Sequence, residues 1–118
     1  MMRTRLWLAA TLIVALTAPA FADRRTEAKE YVEWGITCAQ KSLWPQAVIQ
    51  FEKATEKDPT YAAAWNNLAI AYEHDGKFEE AKKAYEKAIQ LDPKNPMIRQ
   101  NYDLFKEIND RTKRRAAK

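Results

Sequence analysis

His74 and Cys38 are the only histidine and the only cysteine in 118 residues. Together they offer a metal two ligands, where a closed zinc site takes four. Gly35 and Gly76 are the only glycines, too few for a glycine-rich loop that cradles phosphates. The carboxylates are scattered, often four residues from a lysine, as with Glu79 and Lys83, a spacing that makes solvated ion pairs on a helix face. No nucleophile, base and orienting group fall into a catalytic pattern. The expectation is therefore no enzyme, no cofactor and no metal. One charged cluster remains: Arg111, Lys113, Arg114, Arg115 and Lys118 crowd the C-terminus. A basic run of this kind can hold anionic lipid, nucleic acid or an acidic partner, or simply stay solvated.

The elements that carry these residues come in two copies. Residues 28–61 and 62–95 run in step at a period of 34. Ala47, Phe51, Ala54 and Pro59 in the first are answered by Ala81, Tyr85, Ala88 and Pro93 in the second. In the first copy Tyr31, Trp34, Ile36 and Cys38 fall on overlapping apolar faces of a helix over residues 26–40. A break follows at Lys41-Ser42-Leu43-Trp44, and Pro45 then sits where a second helix begins, where its missing N–H costs nothing. In the second copy Trp65, Leu68, Ala69 and Tyr72 mark the first helix. Gly76 turns the chain through the left-handed conformation, and Phe78, Ala81, Tyr85, Ala88 and Leu91 mark the second helix. No stretch alternates with period two, so no strand is predicted. Residues 96–110 begin like a third first helix without a second one to follow, and read as a cap in which Ile98, Tyr102 and Phe105 cover the open end of the stack. Residues 111–118 lack apolar periodicity and are expected to fray.

The N-terminus has its own pattern. Arg3 and Arg5 precede an apolar run from Leu6 to Leu16, and Ala20 and Ala22 stand two apart after Pro19. This has the form of a signal peptide, residues 1–22, cut after Ala22. The short, arginine-bearing start looks bacterial, which makes the periplasm the expected compartment. The alternative is an inner-membrane anchor formed by residues 6–22, although spanning hydrocarbon takes roughly 20 apolar residues. An exported domain with a single cysteine has no internal disulfide, so helix packing must hold it, and Cys38 is expected to be buried. The whole chain carries +4, but residues 23–110 hold 13 basic and 16 acidic residues. The exported part is thus a mildly acidic body with a basic tail.

The second copy, with Trp65-x-x-Leu68-Ala69-x-x-Tyr72 followed by Ala81, Tyr85, Ala88 and Pro93, resembles the tetratricopeptide repeat consensus, whose period is 34 residues. The first copy is more divergent, with Tyr31, Trp34, Gly35 and Cys38 in the corresponding slots. The resemblance implies an all-α solenoid: unit 1 over residues 23–61, unit 2 over 62–95, a capping helix over 96–110, and the tail over 111–118. It implies that Trp34, Trp65, Phe51, Tyr72 and Tyr85 knit helix to helix, with Trp44 and Phe78 also packing residues. It also implies a concave groove built from first helices, with Ile36, Ile70 and Leu104 in one row and Val32, Asn66 and Gln100 beside it. Asn67 and Asn101 adjoin that row, while Lys29, Ala63 and Met97 edge it. An apolar floor with amide side chains suits a peptide, the amides pairing with its backbone; the same amides could instead bridge neighbouring helices. Ile70 is expected at the centre of the groove, facing away from the helix interfaces. The slots of a carboxylate-gripping clamp known in this family hold Val32, Ile36, Met97 and Asn101, which argues against a chaperone-tail adaptor.

The function expected is binding of a peptide segment of a partner protein in this groove, in an envelope assembly. Two other readings stay open. One is a self-associating structural unit, since stacks of this kind usually need three or more repeats. The other is a module held on a membrane surface by its basic tail or by an uncleaved signal. Nucleic acid is not an expected partner of an exported chain.

Overall fold

The computed structural model describes residues 18–118, with side chains described from Asp23 onward. The cleavage site expected after Ala22 and the apolar run before it lie outside the residues whose side chains are described. Five helices follow one another: α1 (Ala18–Gln40), α2 (Trp44–Lys57), α3 (Ala62–His74), α4 (Phe78–Leu91) and α5 (Pro96–Ala116). Among the described residues there is no strand, and no helix is long and apolar enough to cross a membrane.

The two units share their backbone turns as well as their sequence period. The amide of Leu43 donates to the carbonyl of Cys38 (2.9 Å), and 34 residues later Lys77 donates to Tyr72 (2.8 Å). Both bonds close a helix C-terminus that passes through one left-handed residue. In the second unit that residue is Gly76 (φ 78°), and in the first it is Ser42 (φ 56°). Each second helix ends alike, Asp58 donating to Ala54 and Asp92 to Ala88, both at 3.0 Å. Pro45 and Pro96 stand in the first turns of α2 and α5, and Asn95 caps α5 by accepting from the amides of Met97 and Ile98.

Small residues bring the helices close, and rings fill the space between them. Helix α2 buries Ala47, Val48, Phe51 and Ala54, and α4 buries Ala81, Ala84, Tyr85 and Ala88. Ala28, Val32 and Gly35 form the packed stripe of α1. A side chain at Gly35 would overlap Phe51, so this glycine is required by close approach and not by a turn. Cys38, expected to be buried, is half-buried against the core.

Three hydroxyl–carboxylate bonds stitch consecutive helices from α2 to α5. Tyr72 donates to Glu52 (2.7 Å), Tyr85 to Glu73 (2.9 Å) and Tyr102 to Glu86 (3.0 Å). Burial, reinforced by the paired carboxylate, raises the pKa of all three hydroxyls. At the inter-unit turn, Arg25 reaches from α1 to the Asp58 carboxylate, which also accepts from the Thr60 amide and hydroxyl. Burial opposes charge on Asp58, but these bonds and the Arg25 charge outweigh it and hold the carboxyl below its usual range.

Three expectations need correction. Trp34 does not knit helices together: it is 55 % exposed, lying edge-on to Tyr31. Its counterpart Leu68 is buried, and the difference lies in position, because α2 precedes α3 whereas no described helix precedes α1. Phe78 is also largely exposed, unlike the half-buried Trp44 that begins the preceding unit's second helix. Residues 111–116 do not fray but continue α5. Arg111 pairs with Glu107 one turn back, the Thr112 hydroxyl donates to the Ile108 carbonyl, and Lys113 reaches Glu79 of α4 at 3.3 Å. Local polar pairs replace the apolar stripe there.

Candidate functional site

The first helices α1, α3 and α5 carry the expected recognition residues at intervals of 34. Ile36 is 39 % exposed, Ile70 is half-buried, and Leu104 is 51 % exposed. Met97, Gln100, Lys29 and Glu33 are exposed as well, and Ala63 is half-buried. The middle of the row is the most buried: Ile70 packs against the core while Ile36 and Leu104 are exposed.

Two expected groove residues lie beneath the surface instead. Val32 continues the stripe of Ala28 and Gly35 and is buried with the core. Asn66 is also buried, at 8 % exposure, and its side-chain oxygen accepts from the Asn101 amide of α5 at 3.3 Å. Leaving a buried amide unpaired would be costly, so α5 is held on α3 by this bond. Asn67 donates to the Ala63 carbonyl of its own helix at 2.9 Å. The helix-bridging reading thus describes Asn66 and Asn101 in this structure. Each amide still has hydrogen-bonding capacity beyond the bond it makes, since an amide offers two donors and two lone pairs.

The basic residues Arg111, Lys113, Arg114, Arg115 and Lys118 are all exposed, the first four on the last two turns of α5. Cations at a helix C-terminus are favoured by its dipole. His74, likewise in the last turn of its helix, lies flat on the Trp44 ring with centroids 4.0 Å apart and planes 9° apart. Among the described residues, no group of three histidine, cysteine or carboxylate side chains could hold a metal ion.

Sequence reasoning missed a second concave surface. A cleft of about 510 Å³ opens between the α3–α4 turn and the C-terminal half of α5, with Phe78, Phe105 and Ile108 as its apolar walls. The available signal was the period itself. Phe78 and Ile108 stand 34 residues after Trp44 and His74, the pair that stacks in closed contact.

Comparison with known proteins agrees with this architecture. The Tetratricopeptide repeat family matches residues 62–95. The chain is 32 % identical over 85 residues to the Arabidopsis thaliana protein "Tetratricopeptide repeat domain-containing protein PYG7, chloroplastic", covering 72 % of this chain and 28 % of that one. It is 32 % identical over 82 residues to the Pseudomonas aeruginosa "Type IV pilus assembly protein PilF", covering 69 % of this chain and 32 % of that one. It thus spans no more than about a third of either relative. Among solved structures, the "Arabidopsis OM64 TPR domain" superposes with a TM-score of 0.69 at 23 % identity, covering 80 % of this chain and 78 % of that one, which establishes the shared fold. Domains of this kind are in general non-catalytic and bind other proteins. With its repeat period, its paired turns and these likenesses, the chain belongs to the tetratricopeptide repeat family and is built as a protein–protein interaction module.

Proposed function

We propose that the face formed by α1, α3 and α5 binds a peptide segment of a partner protein, and that it does so in assembly of a bacterial envelope structure. The observation that carries this reading is the row Ile36, Ile70, Leu104. Each first helix contributes one apolar residue at the same position, and the outer two are too exposed to serve the core. Ile70, half-buried between two exposed neighbours in the row, receives an apolar side chain of the ligand. Gln100 and the unused capacity of Asn67 and Asn101 pair with its backbone. The envelope assignment is supported by the apolar N-terminal run with its Ala20-Phe21-Ala22 site, which directs export. The likeness to a protein named for pilus assembly points the same way.

Ile70 is a poor target for a charge because it also packs against the core, contrary to the expectation that it faces only the groove. The double variant Ile36→Glu/Leu104→Glu places charge on the two exposed ends and leaves the core intact. Partner binding should fall by about a hundredfold, since charge must be desolvated against the ligand, while helical content and melting stay at parent levels. Unchanged binding in this variant, with loss on removal of residues 111–118, would move the site to the basic end of α5.

A further inference from the structure

Helix α1 and the cleft beside α5 lie at opposite ends of the described stack, and each leaves large apolar side chains exposed. At one end, Trp34 is exposed on α1, one turn after the exposed Glu30 and next in sequence to the exposed Glu33. In the second unit the corresponding residue, Leu68, is buried behind a preceding helix; Trp34 has none among the described residues. At the other end, the repeat calls for closed contact between Phe78 and Ile108, as Trp44 and His74 make it 34 residues earlier. Phe78 and Ile108 instead remain 45 % and 57 % exposed and face an open cleft of about 510 Å³. That volume lies in the range of pockets that hold small ligands, about 300–1,000 Å³, and accommodates an indole ring. Its rim carries Lys77 and Lys113, with exposed Arg114 and Arg115 on the same turns of α5. Glu73, Glu79 and Glu80 also line it, and both lysines are already paired, Lys113 with Glu79 and Lys77 with Asp75, so Arg114 and Arg115 are the cations that an incoming carboxylate would meet.

We infer that the occupant of this cleft is a second copy of the chain, which inserts Trp34 between Phe78, Phe105 and Ile108. Glu30 and Glu33 of the incoming α1 then face the basic end of α5. The contact joins two different surfaces of the same molecule, so it is head-to-tail. Such a contact does not close on itself, and assembly grows with concentration. Neither Ile36 nor Leu104 lines the cleft, although Leu104 stands one turn from Ile108 on α5.

The test uses the chain as the expressing cell processes it, in detergent if residues 1–22 are retained, and reads mass by light scattering and sedimentation. The parent should form a concentration-dependent series of oligomers whose dissociation constant rises several-fold between low and high salt, because the flanking charges are screened. Trp34→Glu and Ile108→Glu, both at exposed positions, should each be monomeric, with circular dichroism checking that they fold; Trp34→Ala and Ile108→Ala serve if they do not. Each variant keeps one intact surface, so mixing the two should restore a one-to-one heterodimer and nothing larger. A monomeric parent at the highest soluble concentration overturns the inference, as does a mixture that stays monomeric. A dimer that survives Ile108→Glu but not Trp34→Glu would also overturn it, since that pattern belongs to a two-fold contact between α1 helices.

Discussion

Replacing Gly35 with alanine should destabilise the protein, although alanine is the better helix former. A Cβ at this position would stand 2.4 Å from Phe51 Cε1, 2.6 Å from Cδ1 and 2.8 Å from Cζ. Carbons in contact prefer about 3.5–4.0 Å, so either the ring or α1 must move by about 1 Å. Phe51 is one of the two largest fully buried side chains, and a close-packed interior gives it little room to retreat. The helix gains about 1 kcal/mol from alanine. Overpacking costs about 1–3 kcal/mol and occasionally more, and overlap with three ring carbons places this site at the upper end. The net loss should be about 1–2 kcal/mol, which for a domain of this size lowers Tm by about 5–15 °C. Thermal and urea unfolding followed by circular dichroism measure it directly. The double variant Gly35→Ala/Phe51→Leu checks the cause, because the methyl should cost less where the ring is gone. A Gly35→Ala protein as stable as the parent would refute the argument that Phe51 forbids a side chain there.

Other expectations follow from the turns, the cap and the hydroxyl pairs. Ser42→Gly should raise stability by about 0.5–1 kcal/mol in urea titrations, because a left-handed L-residue costs roughly 1–2 kcal/mol and glycine's unfolded-state entropy takes back part of the gain. Phe105→Ala should cost about 3–5 kcal/mol, since Phe105 is buried against Tyr85 with ring centroids 5.4 Å apart; a loss under 1 kcal/mol would mean that α5 does not cap the stack. Burial, together with Glu52, Glu73 and Glu86, keeps Tyr72, Tyr85 and Tyr102 protonated above their ordinary range, Tyr102 up to about 12. Unfolded tyrosines ionise near pH ~10, so stability should be full below that pH and fall as pH rises towards 12. Phenolate absorbance and circular dichroism recorded together should show unfolding and ionisation advancing in step.

What the sequence reveals here depends on how local each determinant is. The period of 34 places helices and turns because Ala47 and Ala81, or Phe51 and Tyr85, meet the same neighbours in both copies. Pro45 and Gly76 act within their own turns and could be read directly, and the Ser42 turn was legible as a break though not as a left-handed residue. The ends of the stack were harder. Trp34 occupies a slot that is buried in the second unit, but burial needs a preceding helix, which the pattern of a single unit does not supply. The last turns of α5 are polar, and they stay helical through Arg111–Glu107 and Lys113–Glu79, the second of which depends on where α4 lies. Within the candidate site the exposed row of Ile36 and Leu104 was legible, whereas the burial of Val32 and Asn66 was not. Their position on the helix turns them towards the interior, and the Asn66–Asn101 bond joins residues of two helices 35 positions apart. The cleft between Phe78 and Ile108 arises from the placement of α5 on the second unit, a tertiary property that a repeat period leaves open.

The central claim, that the α1–α3–α5 face holds a partner segment, is tested most directly by a photo-crosslinking residue placed at one position at a time in growing cells. Position 104 lies on the exposed row, and position 83, a lysine on the solvent side of α4, lies away from it. The account predicts one partner crosslinked in high yield from 104 and from 36, and none from 83. Crosslinking from 83 or from positions 113–115, with 36 and 104 silent, would contradict it.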